Sequence, residues 1–347
     1  MPGTWGLTVR TMIRIAVDAM GGDDGPRTIV DGAVAAARHL ELGLLLAGAS
    51  PVVESELSRH ADIGRLDVRI LEAPDVIGMG ESPAAALRRK PGASIKVAAE
   101  AVASGEASAL VSMGNSGATV MAAYGAFGLL PGVGRPALAT TVPTREGSAV
   151  LLDAGASVEC RPGHLLQFAI MGSAHARMAL GIEHPRVGLL SIGEEESKGT
   201  ELVREAHQLL KNAPVRFIGN IEARDVYTGS ADVIVCDGFT GNIVLKISEG
   251  LVDTVETLLG DELSRTFSGR VGSLLSRRAF RRFRKRVDYS EYGGAPLLGV
   301  ARLCIIGHGR SSPKAVRNAV AMAYRFAAHP LIERVEQDLA AASVLQR

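Results

Sequence analysis

Aromatic side chains are scarce in this chain, at 4% of 347 residues, so Val, Leu, Ile and Ala must fill whatever core it builds. A core is affordable, because 47% of residues are apolar, 22% are charged and the mean hydropathy is slightly positive, which excludes a disordered chain. Cysteine is almost absent. Cys160, Cys236 and Cys304 are odd in number, far apart and without C-x-x-C spacing, so neither a disulfide framework nor a zinc site is indicated, and a reducing cytoplasm fits. Excess charge is also missing: the formal net charge is +1, which gives no whole-molecule attraction to nucleic acid or to an acidic membrane. No run approaches the roughly 18 consecutive apolar residues of a spanning helix. The N-terminal MPGTWGLTVRT has no apolar core of a signal peptide and reads as a disordered extension over residues 1–11, with Met12 opening the folded part.

What is present is an alternation. The runs IRIAVDAM, LGLLLAG, LDVRILEA, ALVSMG, SAVLLDAG, RVGLLSIG, VRFIGNI and DVIVCDG are short, apolar and bounded by Gly or Asp, as buried parallel strands are. Between them lie helical patterns such as TIVDGAVAAARHL, SIKVAAEAVASG, GHLLQFAIMGSAHARMAL and GTELVREAHQLLK. The fold class expected is α/β, a mostly parallel sheet with helices on both faces and sites at the carboxyl ends of strands. At this length one large unit or two lobes sharing a cleft is expected. The Gly/Pro-rich LLPGVGRPALATTVPTREG is the candidate crossing, which divides residues 12–347 into about 12–134 with 290–347, and 135–289.

Three glycine-rich strand exits stand out. Ser112, Gly114, Asn115, Ser116 and Gly117 precede an Ala-rich helix, where orphan N–H groups and the helix dipole favour a phosphate or carboxylate; the alternative is a tight turn capped by Ser116. The stretch is neither G-x-G-x-x-G nor a Walker sequence, so no nucleotide is demanded. In LLSIGEEESKGT, Gly193 and three glutamates lead to Lys198, a cation that either neutralises a phosphate or an oxyanion, or sits in a solvated ion pair. In VIVCDGFTGNIVLK, Asn242 opens a helix as a donor to a carbonyl oxygen or as a simple cap, and Asp237 orients a neighbouring donor. Cys236, inside that strand with no nearby His, reads as a small buried hydrophobe. His308 follows a strand in CIIGHGRSSPKAV and is either ligand-facing or a turn residue, with Ser311 or Ser312 capping the next helix. In the opening IRIAVDAMGGDDGP, carboxylates suit a phosphate poorly, so Asp18, Gly21, Gly22 and Asp23 shape a cleft wall by organising donors around it.

From Gly241 the texture changes to a long amphipathic stretch and then the run RRAFRRFRKR, two helical patterns without a strand between them, which suggest a helical arm over about 243–288. Phe267, Val271, Leu274 and Leu275 with Arg278, Arg281 and Arg282 suit an anionic lipid surface or an acidic protein partner; a helix face packed on a dimer mate is the alternative. Nucleic acid is disfavoured because the basic charge is confined to one short run.

These stretches together resemble one family, the fatty acyl-ACP:phosphate acyltransferases (PlsX). The matching segments, in order, are IAVDAMGGDDGP, VSMGNSGA, GRPALA, LLDAGA, PRVGLLSIGEEESKG, NIEARD, DGFTGNIVLK, YSEYGGAPLLG and HGRSS, spanning Ile13 to about His329. The resemblance implies an isopropylmalate dehydrogenase/phosphotransacetylase-like fold and an enzyme that moves a long fatty acyl group from acyl carrier protein to inorganic phosphate for phospholipid synthesis. It also implies a homodimer in the cytoplasm, peripherally membrane-associated through its arm, and Lys198 and Asn242 as catalytic residues. Neither metal nor cofactor is expected. Two positions depart from the family pattern: Ser116 stands for a usual threonine and Ser191 for a usual asparagine. Rival expectations are a phosphotransacetylase acting on acyl-CoA, a metal- and NAD-dependent decarboxylating dehydrogenase, and a non-catalytic acyl-carrier or membrane scaffold.

Overall fold

The computed structural model describes residues 12–287, 293–329 and 331–345; the extension expected over 1–11 lies outside them. The chain begins β1 (Ile13–Asp18), α1 (Gly25–Ala37), β2 (Leu42–Gly48), α2 (Ser50–Leu57), β3 (Val68–Glu72), α3 (Pro83–Arg89), α4 (Ser94–Ala103), β4 (Ala109–Ser112) and α5 (Ser116–Phe127). It continues with β5 (Ala137–Leu138), β6 (Thr140–Pro143), β7 (Ser148–Leu152), α6 (Pro162–Leu180), β8 (Arg186–Ser191), α7 (Glu201–Lys211), β9 (Arg216–Glu222) and β10 (Val233–Val235). Three helices follow without a strand: α8 (Gly238–Arg265), α9 (Phe267–Leu275) and α10 (Arg277–Val287). The last elements are β11 (Ala295–Leu298), β12 (Leu303–Ile306), α11 (Pro313–Ala328) and α12 (Leu331–Leu345).

These strands form two sheets. The larger runs β3-β2-β1-β4-β12-β11-β5 and the smaller β6-β7-β10-β8-β9. All pairings are parallel except β5–β11, β11–β12 and β6–β7. The mostly parallel α/β expectation holds, and its reason is visible in β2 and β4, buried at every position because helices cover both faces. The antiparallel strands are short, and β5, β6 and β11 pass unnoticed in the sequence because Pro and small residues mask their pattern.

The chain passes from one sheet to the other at Ala139, between β5 and β6. The seam is stitched where β7 ends: the Ala154 N–H donates to the Leu138 carbonyl at 2.9 Å, and the Ser157 hydroxyl to the Pro136 carbonyl at 2.8 Å. One apolar cluster runs through both halves, from Ile15 and Val17 to Leu152 and Phe168. The strongest correction to the sequence reading concerns the arm, which contains three helices where two patterns were expected. Thr266 is extended and its hydroxyl accepts from the Gly269 N–H, ending α8 and capping α9.

Candidate active site

The exit of β1 is built around a buried acid. Asp18 accepts hydrogen bonds from the Ser94 hydroxyl at 2.6 Å and the Ser112 hydroxyl at 2.8 Å. Burial pushes its carboxyl above the ordinary range, while those two hydroxyls and the Met20 and Gly21 N–H groups pull it back. Asp18 thus ties β1 to α4 and β4. The following loop packs on its neighbours: a β-carbon at Gly21 would stand 2.7 Å from the Gly114 nitrogen, and the Asp23 N–H, just after Gly22, donates to the Gly309 carbonyl at 2.8 Å. Asp18, Gly21, Gly22, Asp23, Ser112, Gly114 and the His308 loop are therefore brought together.

Within the Ser112–Gly117 stretch, two side chains are occupied by the protein itself. Ser112 is buried, donates to Asp18 and accepts from the Gly114 N–H at 3.0 Å. Asn115 donates to the carbonyls of Met79 and Glu81 and accepts from the Ala118 N–H at 3.1 Å, so it, and not Ser116, caps α5. Ser116 and Gly117 stand exposed in the first turn, where helical N–H groups lack intrahelical partners.

The smaller sheet contributes its own exits. Because β10 lies between β7 and β8, the start of α8 sits between the loops that follow those strands. Asp153, at the end of β7, is buried and accepts from the N–H groups of Leu138, Gly155, Ala156 and Ser157 at 2.6 to 2.9 Å. Burial raises its pKa and the four N–H groups oppose the rise. Sequence reasoning missed this acid, although it lies in the quoted LLDAGA and three of its four donors follow within four residues; only the Leu138 N–H comes from another segment. The first turn of α8 is pressed against the same loop, since a β-carbon at Gly241 would fall 1.9 Å from the Asp153 carbonyl oxygen.

Asp237 caps α8, accepting from the Thr240 N–H at 2.9 Å and its hydroxyl at 2.7 Å. Asn242 is consequently inside the helix and not its opening residue; its exposed side chain lies over Gly155. After β8, Gly193 is buried against Lys198, whose side-chain Cγ is 3.0 Å from the place a β-carbon at 193 would take. Lys198 is exposed. Glu194 and Glu196 are directed elsewhere, to Arg224 at 4.0 Å and Lys211 at 2.7 Å, and among the described residues no carboxylate lies within ion-pair distance of Lys198.

One side-chain contact joins the two groups of exits. Lys246, one helical turn beyond Asn242, places Nζ 3.4 Å from His308 Nε2 and 3.1 Å from Glu249. Burial, then the Lys246 charge, holds the His308 pKa below 6.5. The residues Phe267, Val271, Leu274, Leu275, Arg278, Arg281 and Arg282 lie on α9 and α10 and are all exposed. Among the described residues no three His, Cys, Asp or Glu side chains are grouped to hold a metal, and no helix is long and apolar enough to cross a membrane.

Residues 13–334 match the family described as Fatty acid synthesis protein. A phosphate acyltransferase from Nitratidesulfovibrio vulgaris (strain DP4) is 50% identical over 334 residues, covering 96% of each chain. Its counterpart from Geobacter sp. (strain M21) is 48% identical over 327 residues, 94% of this chain and 93% of that one. The chain belongs to this phosphate acyltransferase family. Its members named above are acyltransferases, and this chain is an enzyme of the same kind. In three dimensions the chain is similar to a phosphotransacetylase from Streptococcus pyogenes, with a TM-score of 0.62 at 17% identity over 91% of this chain and 94% of that one. At that identity the likeness concerns the fold alone, and it agrees with the phosphotransacetylase-like architecture expected from sequence.

Proposed function

We propose that this phosphate acyltransferase moves a long fatty acyl group from acyl carrier protein to inorganic phosphate, releasing the carrier thiol and an acyl-phosphate for phospholipid synthesis. Family membership supports the acyl transfer, and the observation that carries the site is Lys198: a cation at a strand exit with no acid paired to it among the described residues, while Glu194 and Glu196 pair with Arg224 and Lys211. Such a lysine is available to an anionic ligand. The first turn of α5, with Ser116 and Gly117 exposed, adds N–H donors and the positive end of a helix dipole. A phosphate oxygen then bonds to the thioester carbon, the carbon–sulfur bond breaks, and the proton of monohydrogen phosphate balances the departing thiolate. Asn242 donates to the thioester oxygen as it becomes an oxyanion. No protein nucleophile takes part.

The exposed apolar residues of α9 beside the arginines of α10 support contact with an anionic membrane surface or with the acidic carrier. Ile243, Ile247, Leu251, Val255 and Leu258 form an exposed stripe along α8 that supports a homodimer. The deciding experiment is phosphate-dependent thiol release from palmitoyl-ACP, with acyl-phosphate confirmed by mass spectrometry. Asn242→Ala should lower kcat by about 10²–10³, the loss typical of one oxyanion donor, and Lys198→Ala should raise the phosphate requirement or abolish turnover. Wild type inert with palmitoyl-ACP but active with palmitoyl-CoA would replace the donor; inactivity with both would remove the catalytic proposal.

A further inference from the structure

The turn that carries Lys198 is gripped from outside its own strand. Its Glu195 carbonyl accepts two hydrogen bonds, one from the Lys198 N–H at 3.0 Å and one from the Asn220 side-chain amide at 3.0 Å. Asn220 is buried on β9. With its amide nitrogen committed to a carbonyl, its oxygen faces His207 Nδ1 at 2.8 Å, so Nδ1 carries a proton and donates it. His207 is buried on α7, edge-on to Phe217 with ring centroids 5.0 Å apart, which fixes the ring plane. Its other nitrogen, Nε2, lies 3.5 Å from the Glu196 carboxylate. The turn is thus held from the buried side through the Glu195 carbonyl, and Lys198 follows three positions later.

From β8 itself the turn receives no such grip. Ser191 Oγ is buried without a hydrogen-bond partner and lies 2.9 Å from where a β-carbon at Gly199 would be. Lys211 holds the Glu196 carboxylate at 2.7 Å and Arg204 the Gly199 carbonyl at 2.8 Å from the exposed side, and Asn220, backed by His207, holds the turn from the buried side.

We infer that Asn220 and His207 are positioning residues for phosphate, acting through the backbone of the Lys198 turn. The inference rests on the proposed phosphate-holding role of Lys198. A lysine has a long flexible stem, so its ammonium is placed only as well as its backbone is, and misplacement of a binding group by 1 Å costs on the order of 10²-fold in rate. The amide at 220 is required for its two-sidedness: it donates to Glu195 and accepts from His207. An aspartate there keeps the acceptor but presents an oxygen to the Glu195 carbonyl oxygen, so Asn220→Asp frees the turn without opening a cavity.

The test is steady-state kinetics of the full chain with palmitoyl-ACP, titrating phosphate and donor separately and recording thermal unfolding. Asn220→Asp should lower kcat/KM for phosphate by about 10- to 100-fold per folded molecule while the donor KM stays near wild type; the unfolding temperature falls, because a buried oxygen faces the Glu195 carbonyl. His207→Leu should show the same split in weaker form, and His207→Asn, which keeps an N–H directed at Asn220, should recover most of it. A wild-type phosphate KM in both Asn220→Asp and His207→Leu overturns the inference, as does a loss per folded molecule shared evenly by the two substrates. Should Asn220→Asp not fold, His207→Leu against His207→Asn decides alone. Lys198→Ala run in parallel separates the levels. If it loses phosphate affinity while the Asn220 and His207 variants do not, only the positioning role falls; if it keeps normal phosphate affinity, the phosphate role of Lys198 falls and the positioning role with it.

Discussion

The Asn242 side chain rests over Gly155: a β-carbon built at 155 would stand 3.5 Å from Asn242 Cβ and 3.7 Å from its Oδ1. These are ordinary contact distances, so space alone would admit alanine. The backbone does not, because Gly155 has φ +135°, a conformation that L side chains rarely adopt. Gly155→Ala should cost about 1–3 kcal/mol of stability and, by shifting the loop beneath Asn242, lower kcat beyond the loss of folded protein. Denaturant unfolding and turnover per folded molecule check this; unchanged turnover would show that the Asn242 placement does not depend on Gly155.

Cys236 is buried, its Sγ directed to the Asp153 carbonyl oxygen at 3.5 Å, and burial with the nearby Asp153 and Asp237 charges pushes its thiol well above the usual range. A thiolate is therefore suppressed. Native enzyme should resist inactivation by iodoacetamide, Cys236→Ala should keep turnover within a few-fold, and mass spectrometry of the quenched reaction should show no acyl group on Cys236. Stoichiometric acylation there would replace direct attack by phosphate with a two-step mechanism.

His308 titrates below 6.5 because it is partly buried and faces the Lys246 ammonium, against the smaller opposing effect of Glu249. Removing a neighbouring cation favours the imidazolium, so Lys246→Ala should raise the His308 pKa, and Glu249→Gln should lower it. The imidazole Cε1 proton shift followed against pH measures both. No movement in either variant would mean that the α8 turn and the β12 exit are not held together in solution.

His175 is buried on α6, edge-on to Phe326 at 5.5 Å, and burial lowers its pKa from 6.5 to about 4. The unfolded chain takes up a proton near pH 6.5 and the folded chain only near pH 4. Stability contributed by neutral His175 is therefore complete above 6.5 and is lost as pH falls through that window, by up to about 3 kcal/mol. Urea unfolding at pH 7 and pH 4.5 should show a smaller difference for His175→Leu than for wild type; equal differences would acquit this residue.

Much of the architecture was readable because parallel strands buried on both faces are written as unbroken apolar runs, as in LGLLLAG. Helix starts were less so. Ser116 and Asn242 looked like the opening residues of their helices, whereas Asn115 and Asp237 cap them, because Asn, Ser, Asp and Gly all populate such turns and only the side-chain bonds to Ala118 and Thr240 distinguish the cap. The buried carboxylates divide the same way. Asp18 was noticed because it interrupts an apolar strand before two glycines, but its serine partners come from residues 94 and 112, and no local pattern announces a contact across that separation. Asn220 was visible only as part of NIEARD; its use depends on a helix and a loop that sequence spacing does not bring together.

Helix α8 has 28 residues and is therefore about 42 Å long. Asn242 lies near its first turn, and the apolar segment led by Phe267 begins just past its last. A long acyl chain spans about half of the roughly 30 Å hydrocarbon thickness of a bilayer, so no single acyl group has its carbonyl at Asn242 and its tail at Phe267. With the proposed chemistry at Asn242 and the proposed membrane contact at Phe267, synthesis and delivery are separated by the length of a rod, and a product handed over at the arm must first have left the place where it was made.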